Sequence, residues 1–83
     1  MKPLHFVYLL KCSDNTLYCG YTNNLEKRIS VHNQGKGSKY TRGRTPIKLI
    51  YVEEYSSKSI ALKREYEIKQ FSRKEKLSLL KKN

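Results

Sequence analysis

The runs HFVYLLKC (5–12) and LYCGYT (17–22) are rich in aromatic and β-branched residues, and only SDNT separates them. Such residues fit a pleated, half-buried surface, and consecutive turn formers between two of these runs predict a β-hairpin. Alternation puts Phe6, Tyr8 and Leu10 on one strand face, and Tyr18, Gly20 and Thr22 together on a face of the other strand. Tyr8 and Tyr18 share a face of the hairpin only if the connecting loop holds an odd number of residues.

The rest of the chain is punctuated as clearly. TNNLEKRISVHNQGKG reads as a helix with Asn23 as N-cap, Glu26 three residues on in a variant capping box, and Gly35 and Gly37 as its stop. KGSKYTRGRTP (36–46) is a basic, glycine-bearing loop, and IKLIYVEEY (47–55) is a third strand entered just after Pro46. SSKSIALKREYEIKQF (56–71) is a second helix capped by Ser56 or Ser57. SRKEKLSLLKKN (72–83) is a short basic helix capped by Ser72 and carrying Leu77, Leu79 and Leu80. The order β-β-α-β-α-α predicts one small domain over residues 1–83, of α/β (α+β) class. Its three-stranded, mainly antiparallel sheet is flanked by helices. That topology names no activity.

Charge narrows the partners. Eighteen Lys and Arg stand against seven acidic residues, a net charge of +11 on 83 residues. Such an excess favours a polyanion, nucleic acid before an acidic membrane surface or an acidic protein; a basic domain without a dedicated anion is the plain alternative. No stretch approaches the roughly 18 apolar residues of a membrane span, and MKPLHFVYLL lacks a signal-peptide cleavage site. A cytoplasmic protein is expected. Cys12 and Cys19 form no CxxC pair, so they are expected to be reduced strand residues rather than a disulfide or zinc ligands.

Against this ordinary background three polar residues sit where apolar ones belong. Leu25, Arg28, Ile29 and His32 share one helical face, and Glu65 falls in the apolar arc of Ala61, Leu62, Ile68 and Phe71. A carboxylate there is costly without a partner. Each oddity has a bland reading: Arg28 snorkelling from the core rim, His32 a satisfied half-buried histidine, Glu65 paired with Arg28, and the tyrosines packing within strands. Together they hold what phosphodiester hydrolysis needs. A hard oxygen ligand suits Mg²⁺ or Mn²⁺, a cation neutralises the transition state, and a phenol or imidazole takes a proton from water.

FVY (6–8) and YCG (18–20) resemble the two tripeptides that name the GIY-YIG nuclease domain. YCGYTNNLEKRISVHNQGKG resembles the family's run from the second tripeptide through its Arg and His, and ALKREYEIK resembles its metal-binding helix. The resemblance spans residues 4–72, leaving 73–83 as a C-terminal basic helix. It is closest to small stand-alone bacterial members, the UPF0213 group, themselves similar to the nuclease domain of Slx-type endonucleases. It implies a β-β-α-β-α fold, in agreement with the punctuation. It also implies roles for particular residues. Tyr8 would lie near the nucleophilic water, Tyr18 would be the general base, and Gly20 would leave space for backbone and scissile phosphate. Arg28 would contact that phosphate, His32 would assist proton transfer, and Glu65 would be the single protein ligand of one divalent metal, Mg²⁺ or Mn²⁺.

There are departures. Phe6 replaces the first glycine, where it could narrow the site or supply stacking, Val7 conservatively replaces an isoleucine, and Cys19 replaces the second tripeptide's isoleucine. The asparagine some members carry after the metal helix has no counterpart.

The expected function is a metal-dependent endonuclease of low sequence specificity, a monomer acting on nucleic acid, DNA rather than RNA, with no membrane partner. Larger relatives add a domain that chooses the target, so a protein partner could supply specificity here. Lys36, Lys39, Tyr40, Arg42 and Arg44 of the loop, with Lys69 as an auxiliary, are the expected nucleic-acid contacts, Tyr40 by stacking on an unpaired base. The alternatives are a non-catalytic nucleic-acid-binding module that keeps the nuclease fold, and an adaptor for an acidic protein.

Overall fold

The computed structural model describes residues 4–81. Strand β1 (His5–Lys11) runs into a tight turn and returns as β2 (Leu17–Thr22). The Asp14 carboxylate holds the turn, accepting from Thr16 N at 3.2 Å and Thr16 Oγ1 at 2.6 Å. Asn15 takes the left-handed φ of 72°, which asparagine tolerates well. The last rung pairs Lys11 with Leu17, which leaves an odd loop over 12–16 and sets Tyr8 opposite Gly20 and Leu10 opposite Tyr18. Tyr8 and Tyr18 therefore share a face.

Strand β3 (Lys48–Tyr55) pairs antiparallel on the other side of β1, giving the sheet order β2-β1-β3. Between Leu9↔Tyr51 and Leu10↔Leu49 the register slips by one residue. This bulge lets consecutive Ile50 and Tyr51 both pack on the same core cluster.

Helix α1 (Leu25–Asn33) covers one face of the sheet. There Tyr8, Leu10, Cys12 and Ile47 are buried with Tyr18, Leu25, Ile29 and Leu49 against them. Its N-cap is Asn24, whose side chain accepts from Lys27 N at 3.2 Å, and not Asn23; no box with Glu26 forms. Gly35, at φ 75°, ends the helix as expected, while Gly37 belongs to the site described below.

Helix α2 (Lys58–Lys69) covers the opposite face, capped by Ser57 rather than Ser56. Ala61 and Ile68 are fully buried with Val7, Leu9, Cys19 and Leu79, each large side chain contributing roughly 2 kcal/mol. Leu62, expected inside the apolar arc, is exposed, because the buried stripe runs through Ala61, Glu65 and Ile68 at i, i+4 and i+7.

Ser72 caps α3 (Arg73–Ser78) through a complete box with Glu75, and a 3₁₀ turn (Leu79–Lys81) seats Leu79 in the core while Leu80 stays exposed. The end of the predicted basic helix, residues 82–83, lies outside the described residues. Cys12 and Cys19 are buried free thiols. Among the described residues no helix is long and apolar enough to cross a membrane.

Candidate active site

Because β1 is the central strand, Tyr8 is rooted in the middle of the sheet and is 1% exposed. Its ring crosses the neighbouring strand over Gly20. A Cβ on Gly20 would lie 2.5 Å from Tyr8 Cζ and 3.0 Å from Tyr18 Cε2, so the position admits only glycine without movement. The space expected for a phosphate is thus taken, on this side of the backbone, by the Tyr8 phenol.

Helix α1 presents His32 to that phenol. The imidazole is fully buried, with Nε2 3.0 Å from Tyr8 Oη and Nδ1 2.8 Å from Thr41 Oγ1. The rings of Tyr8, Tyr18 and His32 lie 5.4 to 6.4 Å apart between centroids, all tilted or edge-on. Arg28, one helical turn earlier, is half-buried and donates from Nη2 to the Gly37 carbonyl at 3.2 Å.

Burial dominates the electrostatics. It pushes the Tyr8 phenol up to about 12, with the charges of Tyr18 and Glu65 adding and Arg28 offsetting in part. Burial, then the Arg28 guanidinium, holds His32 below the usual imidazole range. Both groups are neutral near pH 7, which leaves Arg28 as the charged group of that wall.

Glu65 arrives from the other side of the sheet. Its backbone carbonyl accepts from Cys19 Sγ at 3.9 Å, which ties it to the outer strand β2. Burial, then the Glu65 charge, pushes the Cys19 thiol up to about 11. The carboxylate, 18% exposed, pairs with Lys69 Nζ at 3.2 Å and not with Arg28. Helix α2 makes this pairing natural, since residues four apart stand one above the other.

The loop 36–46 contributes more than charge. Tyr40 stacks on Tyr18 at 5.9 Å between centroids, and the Arg44 guanidinium lies 4.5 Å over the Tyr40 ring. Arg44 also pairs with Asp14 in the hairpin turn at 2.9 Å and donates to the Tyr40 carbonyl. Tyr40 is therefore already stacked, and Arg44 is committed to the fold. Lys36, Lys39 and Arg42 are exposed and enter no ion pair among the described residues. Phe6 is half-buried, pairs across the sheet with Thr22 and Glu54, and joins no aromatic pair among the described residues.

Sequence reasoning missed Thr41, which is fully buried, and the second role of Gly37, where a Cβ would lie 2.6 Å from His32 Cε1 and Cγ. One signal was present for the glycine: Gly35 suffices to end the helix, so a second glycine two residues later asks for its own reason. Nothing local marks Thr41.

Comparison with known proteins bears on the family and the fold. The GIY-YIG catalytic domain matches residues 4–78. A UPF0213 protein of Staphylococcus haemolyticus is 59% identical over 76 residues, covering 92% of this chain and 93% of its own. One from Natronomonas pharaonis is 54% identical over 80 residues, covering 96% and 94%. The solution NMR structure of a UPF0213 protein from Bacillus halodurans is similar to this one with a TM-score of 0.62. It is 45% identical, over 94% of this chain and 83% of that one. A solution NMR structure of an E. faecalis protein gives 0.65 at 40% identity over the same shares. Fold and sequence coincide over nearly the whole chain, which belongs to the GIY-YIG catalytic domain family.

Proposed function

We propose that the chain is a metal-dependent endonuclease that hydrolyses phosphodiester bonds of nucleic acid. It prefers DNA to RNA, reads little sequence, and favours branched or flapped structure. Membership of a nuclease family supports the reaction class. The observation that carries the reading further is the cluster at the β2 edge. There a phenol–imidazole pair 3.0 Å apart is held neutral beside the guanidinium of Arg28, with half-buried Tyr18 against it.

Each residue has a task that its surroundings suit. Tyr8 is buried and its hydroxyl is committed to His32, whereas the Tyr18 hydroxyl enters no hydrogen bond among the described residues. Tyr18 is therefore the phenol free to approach an attacking water and, once it has given up its own proton, to take one from that water. Arg28 neutralises charge that builds on the phosphoryl oxygens. The exposed Lys36, Lys39 and Arg42 engage the phosphate backbone without reading bases.

A protein-only metal cage is not built here: no group of three or more His, Cys, Asp or Glu side chains converges among the described residues. One largely buried carboxylate, Glu65, fits instead an Mg²⁺ or Mn²⁺ ion that keeps several waters and takes substrate oxygens as ligands. When bound, such an ion would polarise the scissile phosphate.

The Lys69–Glu65 pair favours one other reading, a nucleic-acid-binding module whose carboxylate stays capped by its own lysine. Labelled duplex, flap, branched and single-stranded DNA and RNA, incubated with Mg²⁺, Mn²⁺ or EDTA, separate the two. The nuclease cuts in a metal-dependent way and cuts branched DNA best. Salt-sensitive binding with no cutting in either metal supports the module.

A further inference from the structure

Three candidate catalytic residues on the α1 face of the sheet, Arg28, His32 and Tyr18, each have a partner in the loop that follows α1. The Gly37 carbonyl accepts from Arg28, Thr41 Oγ1 meets His32 Nδ1, and the Tyr40 ring stacks on Tyr18. The loop is anchored at its far end, where Arg44 pairs with Asp14 and its carbonyl accepts from Ser13 N at 2.8 Å. We propose that residues 37–41 are the positioning element of this site. Within them, Thr41 is a positioning residue that holds His32 as the Nδ1–H tautomer, so that Nε2 accepts the Tyr8 hydroxyl proton.

The Tyr8 hydroxyl sets the direction of that chain: it is buried and its proton has no acceptor among the described residues but His32 Nε2, so the ring proton sits on Nδ1. Thr41 Oγ1 accepts from Ser38 N at 3.3 Å, and its own proton has the Ser38 carbonyl at 3.4 Å or Ser38 Oγ at 3.2 Å to go to. The hydroxyl is then left with a lone pair that accepts from Nδ1–H. With its proton on Nδ1, the neutral imidazole offers Nε2 only as an acceptor, and Tyr8 must donate to it. The oxygen lone pairs of Tyr8 are thereby left facing the charge of Arg28, which can only donate. Thr41 thus bears on Arg28 through His32 and Tyr8, while Gly37 holds it directly. A side chain at Gly37 would run into the imidazole.

The kinetic consequence rests on the nuclease reading; the tautomer does not. The test is ¹⁵N NMR of the His32 ring at neutral pH in wild type, Thr41→Ser and Thr41→Val, with cleavage of a labelled DNA flap measured on the same samples. Wild type and Thr41→Ser should show Nδ1 protonated and Nε2 as the bare acceptor nitrogen. Thr41→Val should lose that pattern, and its kcat should fall by at least about 10-fold with KM little changed, since a misplaced reacting group costs rate rather than binding. Wild-type protein with the proton on Nε2 overturns the proposal, whether or not the valine variant folds. So does a serine variant as impaired as the valine one. If no variant cuts, wild type included, while the tautomers behave as stated, the nuclease reading fails and the positioning role of Thr41 stands.

Discussion

Tyr8 and Gly20 face each other across the β1–β2 ladder, and the phenol of one fills the space where a side chain of the other would sit. The Tyr8 ring cannot retreat, because its hydroxyl is held by His32. Gly20→Ala should therefore destabilise the protein by roughly 1–3 kcal/mol through overpacking. In a domain of this size that lowers Tm by roughly 5–20 °C in a thermal scan. Combined with Tyr8→Leu the cost should be far from additive, since the second change removes the obstacle. Additive losses would show that the two positions do not collide.

His32 gives the protein a pH signature. Burial and Arg28 lower its folded pKa, so the unfolded chain binds the proton more readily near pH 6. Stability then rises with pH wherever the unfolded state holds more protons. The contribution is complete above the ordinary histidine value near 6.5 and is lost as pH falls below it. Urea unfolding at pH 7.5, 6 and 5 should show wild type losing stability with a slope of at most about 1.4 kcal/mol per pH unit. His32→Gln should flatten that slope above the carboxylate range, and an unchanged slope would contradict the assignment.

How much of this was legible in the sequence differs element by element. SDNT announced the hairpin because Asp14, Asn15 and Thr16 each act locally, within two residues of where they stand. The polar stripe of α1 was legible for the same reason, since helical periodicity fixes which side chains share a face. The cap was misplaced by one because Asn23 and Asn24 are chemically equivalent candidates. Thr41 was invisible because its importance comes from a contact across nine residues with a ring that is itself buried. Glu65 was legible as anomalous, but the plain reading that paired it with Arg28 gives way to a pair with Lys69. Arg28 stands on α1 and Glu65 on α2, which cover opposite faces of the sheet, whereas Lys69 is one turn away on the same helix.

Lys69 should act as a resident competitor for the carboxylate of Glu65. Lys69→Met removes the ammonium, and the half-exposed pair is worth at most about 1 kcal/mol. Stability should hardly change, while the Mn²⁺ concentration giving half-maximal cleavage should fall by roughly 2- to 5-fold, in keeping with that energy. A rise in the Mn²⁺ requirement would mean that Lys69 serves the metal-bound state instead.

Glu53 offers a control away from the ring cluster. Its carboxylate accepts from Arg64 Nε at 2.9 Å and Nη2 at 3.1 Å and from Tyr55 Oη at 2.6 Å, and Tyr51 also donates to it. Glu53→Ala strands those donors and should cost roughly 1–3 kcal/mol in chemical unfolding. Cleavage at a temperature where the variant is folded should stay within about threefold of wild type, since no proposed catalytic group touches this network.

The central claim is that Arg28 and Glu65, carried by helices on opposite faces of the sheet, act on one phosphate. The most direct measurement is metal-dependent cleavage of a labelled DNA flap by wild type, Arg28→Ala and Glu65→Ala, with DNA binding measured in parallel. The account predicts that both variants fold and bind DNA but lose at least about 100-fold in cleavage, as expected when transition-state charge stabilisation is removed. Cleavage by either variant at the wild-type rate would contradict it.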